Sequence, residues 1–312
     1  MVRLRILGAI LVLAVLGPTE IPAGPASTAR VPVWVAVEEA GALVKVDVRT
    51  GDVLRRVRTG GGPHNITVAP DGTVAAALYA SDAIAIVRNG HLKRIQLGGR
   101  PHDVKVAGNL FVVTNEGAAR LDLVSLSGQR RGQIPLVANP HDVAIEPGGR
   151  RAWTTLDGND RLAIVNLVKR TVRYIPTGRS PHDLLFSPAG RLYVTDWNGA
   201  VHVFDPNGNL IATRPLGEEA HHLAFIPDGR QVWITDHGLH RVFVLRTGTL
   251  RIIDRISLAG APHHVTISPG GRLAVVANHT GGSLLVFSTE TRRRVRTIRV
   301  GAGPHGVWAV PD

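Results

Sequence analysis

The sequence predicts an all-β protein, a seven-bladed β-propeller with four antiparallel strands per blade. Three observations carry that prediction. A short phrase built around a histidine occurs seven times, placing His64, His102, His141, His182, His221, His263 and His305 at intervals of 38, 39, 41, 39, 42 and 42 residues. A period near 40 kept this regularly marks a repeat architecture. Within one copy, short β-branched and aromatic runs alternate with Gly, Pro, Asn and Asp, giving four strands per repeat. The last copy, "GPHGVWAVPD", supplies one strand only, while residues 31–60 supply three that lack a first one. Joined, they complete a seventh blade and close the ring, removing the free edges that an open array would expose.

The repeat at 180–215 shows each element in turn: "DLLFS" is the innermost strand, "PAG" a turn, "RLYVTD" the second strand, "AVHVFD" the third, "PNGN" another turn, and "LIATRPLG" the outermost strand. No stretch after residue 30 keeps a helical apolar period over three turns. The composition agrees: 35 Gly and 20 Pro among 312 residues suit a turn-rich domain, and a 44% hydrophobic share supports a core. Aromatics are only 4%, so packing between blades has to rest on Val, Leu, Ile and Ala.

The chain starts differently. "MVRLR" is a basic segment, "ILGAILVLAVLG" an apolar one, and "PTEIPAGPASTA" ends in small residues. This is the pattern of a secretory signal peptide, expected over 1–29 with cleavage near Ala26 or Ala29, the propeller occupying 30–312. The apolar segment is shorter than the roughly 20 residues of a membrane span, though an uncleaved anchor is the alternative. The expected location is secreted or extracytoplasmic, in the cell envelope. With no cysteine, the chain has neither disulfides nor thiolate ligands.

The formal net charge is +12, and only four of the 36 basic residues are Lys. Much of the arginine falls on the outermost strands: Arg55, Arg56, Arg58, Arg130, Arg131, Arg251, Arg255, Arg292, Arg293, Arg294, Arg296 and Arg299. Such a rim serves solubility, or holds the protein against an anionic cell-envelope polymer or a protein partner. Nucleic acid is excluded as a partner by the leader and by the lack of a stacking-aromatic motif. A monomer is expected.

Strand direction locates the chemistry. The first strands begin, and the second strands end, on one face of the ring, so the seven histidines line the mouth of the central channel. Asn115, Asp157, Asp196, Asp236, Asn278 and Glu38 end the second strands and are expected beside them, followed by His237 and His279. The residues after the seven histidines are Asn65, Asp103, Asp142, Asp183, His222, His264 and Gly306. Strand alternation predicts that they point away from the first set. Blades 5 and 6 stand out, since His221, His222, His237, His263, His264 and His279 converge on one sector. His91 and His202 fall outside the pattern.

Imidazole suits copper, zinc, nickel and iron, and nearby carboxylates can ligate or orient the rings. The candidate metal ligands are His221, His222, His237, His263, His264, His279, His182 and His305. A histidine recurring in every blade can instead tie loops together, which is the plainer reading for His64, His102 and His141. If the site is catalytic, Asp236 is the candidate base, with His221 and His263 beside it.

The pattern G-x-x-P-H-x-V-x-x-S-P-x-G-R-x-x-V-x-N, with "YVTD" at Tyr193–Asp196, resembles the YVTN-type β-propeller repeat over residues 31–312. That resemblance implies the fold and leaves function open. The histidine in all seven blades departs from most repeats of the type. "PHGVWAV" is similar to phrases in the propeller domain of nitrous oxide reductase, whose channel-mouth histidines hold a copper–sulfide cluster. The cupredoxin domain of that enzyme is absent, so the likeness implies metal affinity and not the reaction. The virginiamycin B lyase family, with channel-mouth histidines, a glutamate ending a second strand and magnesium, is also similar. His221 and His263 take comparable places, but Asn278 and Asp236 stand where its glutamate would. "AHHLAFIPDGRQVWITD" resembles a lactonase repeat over one blade.

The expected function is therefore an exported propeller binding a transition metal, copper or zinc, or a small ligand at its mouth. The alternatives are a lyase or hydrolase using that site, with magnesium if lyase-like, and a cell-envelope interaction scaffold.

Overall fold

The computed structural model describes residues 29–310. The leader expected over 1–29 lies outside them except for Ala29. Seven four-stranded antiparallel sheets are arranged as blades. Six are continuous in the chain, spanning 63–96, 101–135, 139–176, 181–215, 220–257 and 262–299, and are numbered 1 to 6 here. In blade 7 the innermost strand, Pro304–Ala309, pairs with Pro32–Val37, which continues into Ala42–Asp47 and Val53–Arg58. Trp308 lies opposite Trp34 in that pair. The two ends of the propeller thus close it, as the lone last strand and the three orphan first ones predict.

The middle strands of each blade are buried nearly throughout, and the outermost are mostly exposed. Their apolar side chains meet those of the next blade. Val33, Val35 and Val44 of blade 7, for instance, pack on Val275, Ala277 and Val286 of blade 6. Val, Ala, Leu and Ile dominate these interfaces, as the low aromatic share requires. Fully burying one such Val or Leu stabilises the fold by about 1.5–3 kcal/mol. Trp153 and Trp233, both fully buried, are the large exceptions. The arginines of the outermost strands are exposed at Arg55, Arg56, Arg58, Arg294, Arg296 and Arg299. Among the described residues no helix is long and apolar enough to cross a membrane.

One irregularity positions the site. Every innermost strand carries a one-residue bulge beside its histidine. In blade 5 the pairing runs Ala220 with Asp236 and then Leu223 with Ile234, so His221 and His222 together face Thr235. The same shift occurs in the other six blades. A bulge breaks the alternation of side chains along a strand. The expectation that the histidines and their followers point apart is therefore corrected: the two sets come together in the channel.

Candidate metal centre

The seven histidines form a closed ring of imidazoles. Neighbouring ring centroids are 4.3 Å apart for His64–His102, 3.7 Å for His102–His141, 4.5 Å for His141–His182 and 3.9 Å for His182–His221. The circuit continues at 4.1 Å for His221–His263 and 3.6 Å for His263–His305, and closes at 3.5 Å for His305–His64. The ring lines the channel all the way round.

Beneath it lies a second tier. Asn65, Asp103, Asp142 and His222 are buried, and Asp183 and His264 nearly so. Asn65 Nδ2 donates to Asp142 Oδ1 at 2.7 Å across the channel, and Asn65 Oδ1 lies 2.8 Å from His264 Nε2. His264 stacks on His222 with centroids 3.3 Å apart. Lys105 Nζ, reaching up from lower in blade 2, binds both oxygens of Asp103 at 2.6 and 2.7 Å. Gly306 holds the seventh place because a Cβ there would meet the His64 carbonyl at 2.6 Å.

Above the ring is a rim set by equivalent backbone bonds. The amides of Glu38, Tyr79, Glu116, Trp197, His237 and His279 donate to Gly303, Gly62, Arg100, Ser180, Glu219 and Ala261. In blade 3, Asp157 takes this rim position, paired with Asn139, and Leu156 takes the strand end. Blades 7, 2 and 3 therefore present carboxylates, and blades 4, 5 and 6 present Trp197, His237 and His279. Trp197 stands edge-on to His182 at 4.4 Å and to His221 at 5.0 Å.

The strand ends themselves turn away from the imidazoles, contrary to expectation. Asp236 accepts the amides of Glu218 at 3.0 Å and Leu239 at 2.7 Å, clamping the loop that enters blade 5. Asp196 binds His202 Nε2 at 2.7 Å, which gives His202 a structural place. Asn115 donates to Asp122 at 2.8 Å, and Asn278 reaches Ser283 at 3.4 Å. Alternation explains it: the residue after each strand end faces the mouth, so the strand end does not.

The threonine preceding the strand end was not singled out by the sequence reading, although "VTN", "VTD" and "ITD" repeat it. Thr114, Thr155, Thr195 and Thr235 each donate to the carbonyl of the next blade's ring histidine, His141, His182, His221 and His263. Each hydroxyl also accepts an amide of its own blade's bulge. Tyr79, Trp197 and Lys105 also escaped it, for they carry no repeat.

Burial governs the charge of the cluster. It holds His64, His182, His221, His222, His263 and His305 well below the usual imidazole range, with neighbouring imidazoles adding to the effect. His264 is pushed down to about 3, mainly by burial. At His141 burial is outweighed by the Asp142 carboxylate, which raises it. At Asp142 burial is likewise outweighed, by His141 and His102, and the carboxyl is held well below its usual range. Burial pushes Asp183 well up, with Asp142 adding repulsion.

Neutral imidazoles are the form that binds metal. Among the described residues, Nδ1 of His182, His221, His263 and His305, and both nitrogens of His222, are buried with no hydrogen-bond partner, and His141 Nδ1 faces Asp142 Oδ2 at 3.5 Å. His222 Nδ1 is 3.2 Å from Asp183 Oδ2 without hydrogen-bond alignment. Three imidazole trios offer ligand atoms within 4.8 Å of one another: His182–His221–His222, His221–His237–His263 and His222–His263–His264. The sets Glu38–His64–His305 and His102–His141–Asp142 do the same. Of the expected ligands, His279 belongs to none of these five sets, and its ring lies 5.5 Å from that of His263.

Fold and site together define a seven-bladed propeller whose channel is lined by a ring of imidazoles. The family described as YNCE-like beta-propeller matches residues 25–312, and the chain belongs to it. Several solved structures are similar. The Pseudomonas aeruginosa periplasmic gluconolactonase PpgL shares 21% identity at a TM-score of 0.77, over 91% of this chain and 99% of that one. Kuenenia stuttgartiensis hydrazine synthase shares 19% at 0.72, over 87% and 99%. Staphylococcus aureus virginiamycin B lyase shares 14% at 0.72, over 80% and 91%. At these identities the likeness is one of fold. No curated protein matches.

Proposed function

We propose that the protein is an exported propeller that binds a copper or zinc ion through the imidazoles of blades 4 to 6 at the mouth of its channel. One observation carries the reading: among the described residues, five buried imidazole nitrogens of these blades, on His182, His221, His222 and His263, have no hydrogen-bond partner. Buried polar atoms are nearly always paired, and leaving one unpaired costs about 1–3 kcal/mol. A metal ion bound by several of them removes that cost. His221–His237–His263 is the favoured set, because His237 and His263 are only partly buried and open to the mouth. Zinc held by such a trio keeps a fourth position for water or a small ligand, with Zn–N near 2.0–2.1 Å. The name of the periplasmic lactonase supports a place outside the cytoplasm.

Calorimetric titration of the mature chain with copper and zinc tests this. His221→Ala with His263→Ala is expected to abolish binding at this trio, and His102→Ala with His141→Ala to matter less. Absence of binding above pH 7 for both metals would make the cluster structural.

A second reading, a lyase or hydrolase working at the same mouth, has one observation in its favour. The rim gathers Glu38, Glu116 and Asp157 opposite the imidazoles, so acid–base groups and metal donors share one cup. Asp236 is a weaker base on this geometry, since both its oxygens are already held by amides. Magnesium, which prefers oxygen ligands, would be drawn to the same acidic rim. Hydrolysis of a lactone by the zinc-loaded protein but not the chelated one would favour this reading.

A further inference from the structure

Beyond His263 in the ring, on the side away from His221, Glu38 and His305 of blade 7 meet His64 of blade 1 with ligand atoms within 4.8 Å of one another. We propose that Glu38, His64 and His305 form a second metal site, of the two-imidazole, one-carboxylate kind. It takes a divalent ion that tolerates oxygen, such as zinc, cobalt, iron or manganese, so the mouth holds two ions of different coordination. This inference rests on the metal-binding reading of the ring.

Glu38 and His64 are each held for the task by a separate contact. The amide of Glu38 donates to the Gly303 carbonyl at 2.8 Å, which fixes the residue on the rim. Gly62, in the left-handed region at φ 58°, leaves the space beside it: a Cβ there would lie 3.6 Å from Glu38 Cγ and 3.3 Å from Ala80 Cβ. Among the described residues the Glu38 carboxylate has no ion-pair partner. Burial pushes its pKa up, with Glu39 adding repulsion, and a cation would relieve both. His305 is 2% exposed, and its Nδ1 is unpartnered.

His64 is set by a chain that starts at Asp142. That carboxylate only accepts, so the Asn65 amide must point its Nδ2 at Asp142 Oδ1, 2.7 Å away, and its Oδ1 toward the imidazoles. Asn65 Oδ1 lies 3.2 Å from His64 Nδ1. A proton on Nδ1 facing that oxygen leaves the lone pair on Nε2, the arrangement that orients a metal-ligating histidine. No such polar orienting group is needed for a histidine that merely fills the channel.

The two sites differ in chemistry. Imidazole-only sets favour copper and zinc, whereas two histidines and a carboxylate also accept iron and manganese and leave positions open. His305 contacts His263 at 3.6 Å between centroids, so the sites are neighbours and still draw on separate residues.

Titration of the metal-stripped full chain with Co(II), followed by ligand-field absorption and by equilibrium dialysis, tests the proposal. Two equivalents are expected in the wild type. Glu38→Gln, close in shape, is expected to lose one while the spectrum of the other stays unchanged. Glu38→Asp keeps the carboxylate and should retain both, the second more weakly, and the melting temperature of each variant checks that it folds. His237→Ala should weaken only the other site. A single equivalent in the wild type, weakened by His237→Ala and indifferent to Glu38→Gln, overturns the second site and leaves the first reading standing. Two equivalents retained in Glu38→Gln also overturn it. No equivalent at all overturns both readings.

Discussion

Thr235 joins two blades through one hydroxyl, which donates to the His263 carbonyl at 2.6 Å and accepts the His222 amide at 3.0 Å. Thr235→Val keeps the shape and removes both bonds, leaving a buried carbonyl and amide unpaired. A loss of about 1–3 kcal/mol is expected, read as a melting temperature lower by several degrees. An unchanged melting curve would show that the latch does not contribute. Ala36, Ala77 and Ala277 hold the equivalent places in blades 7, 1 and 6, so the ring is latched on one side only.

Acid should loosen the metal-stripped protein. Histidines kept neutral by burial take up protons more readily once unfolded. Their contribution to stability is therefore fully present above the ordinary imidazole pKa of about 6.5 and is lost as pH falls through that value. His64, His182, His221, His222, His263, His264 and His305 act in this sense, and His141, raised by Asp142, acts against it. Each neutral group contributes about 1.4 kcal/mol per pH unit below that point. Calorimetric melting between pH 7 and pH 5 should show a falling melting temperature, and a flat profile would contradict the buried neutral ring.

Trp197 is placed to report on the favoured sector, edge-on to His182 and His221. Copper(II) bound there should quench its fluorescence. The quench is expected to vanish in Trp197→Phe and to survive in Trp233→Phe, whose indole is buried between blades 5 and 6. Equal quenching in both variants would place the ion elsewhere.

Gly306→Ala drives a Cβ against the His64 carbonyl. The innermost strands of blades 7 and 1 must then separate, at about 1–3 kcal/mol for such overpacking. Thermal melting should register the loss, and retention of the wild-type value would mean that the strands yield freely there.

Asp236→Ala removes the clamp on Glu218 and Leu239. Charged acceptors of this kind contribute about 1.5–3 kcal/mol per bond. Faster hydrogen exchange is expected at residues 217–219 and 239, with copper or zinc affinity kept within a few-fold. A collapse of affinity would tie Asp236 to the metal site after all.

The period, the strand count and the closure by both ends were legible because each depends on residues repeated in every blade. The histidine ring was legible for the same reason. What escaped was set by a backbone irregularity. The bulge at His221–His222 leaves no composition signal, so simple alternation sent the second tier the wrong way. In blade 3, Leu156 precedes Asp157, and that one-residue offset placed a rim carboxylate among the strand ends. The threonine latch was written in "ITD" and "VTD", but a threonine in a strand reads as β propensity until its partner across the blade boundary is known.

The innermost strand of blade 7 carries His305 between His263 and His64. The imidazole circle therefore stays broken until residues 304–309 have paired with residues 33–37, at opposite ends of the described chain. Such pairing forms late in folding. A chain caught before that step presents an incomplete ring, so a complete circle of imidazoles is itself the mark of a finished propeller.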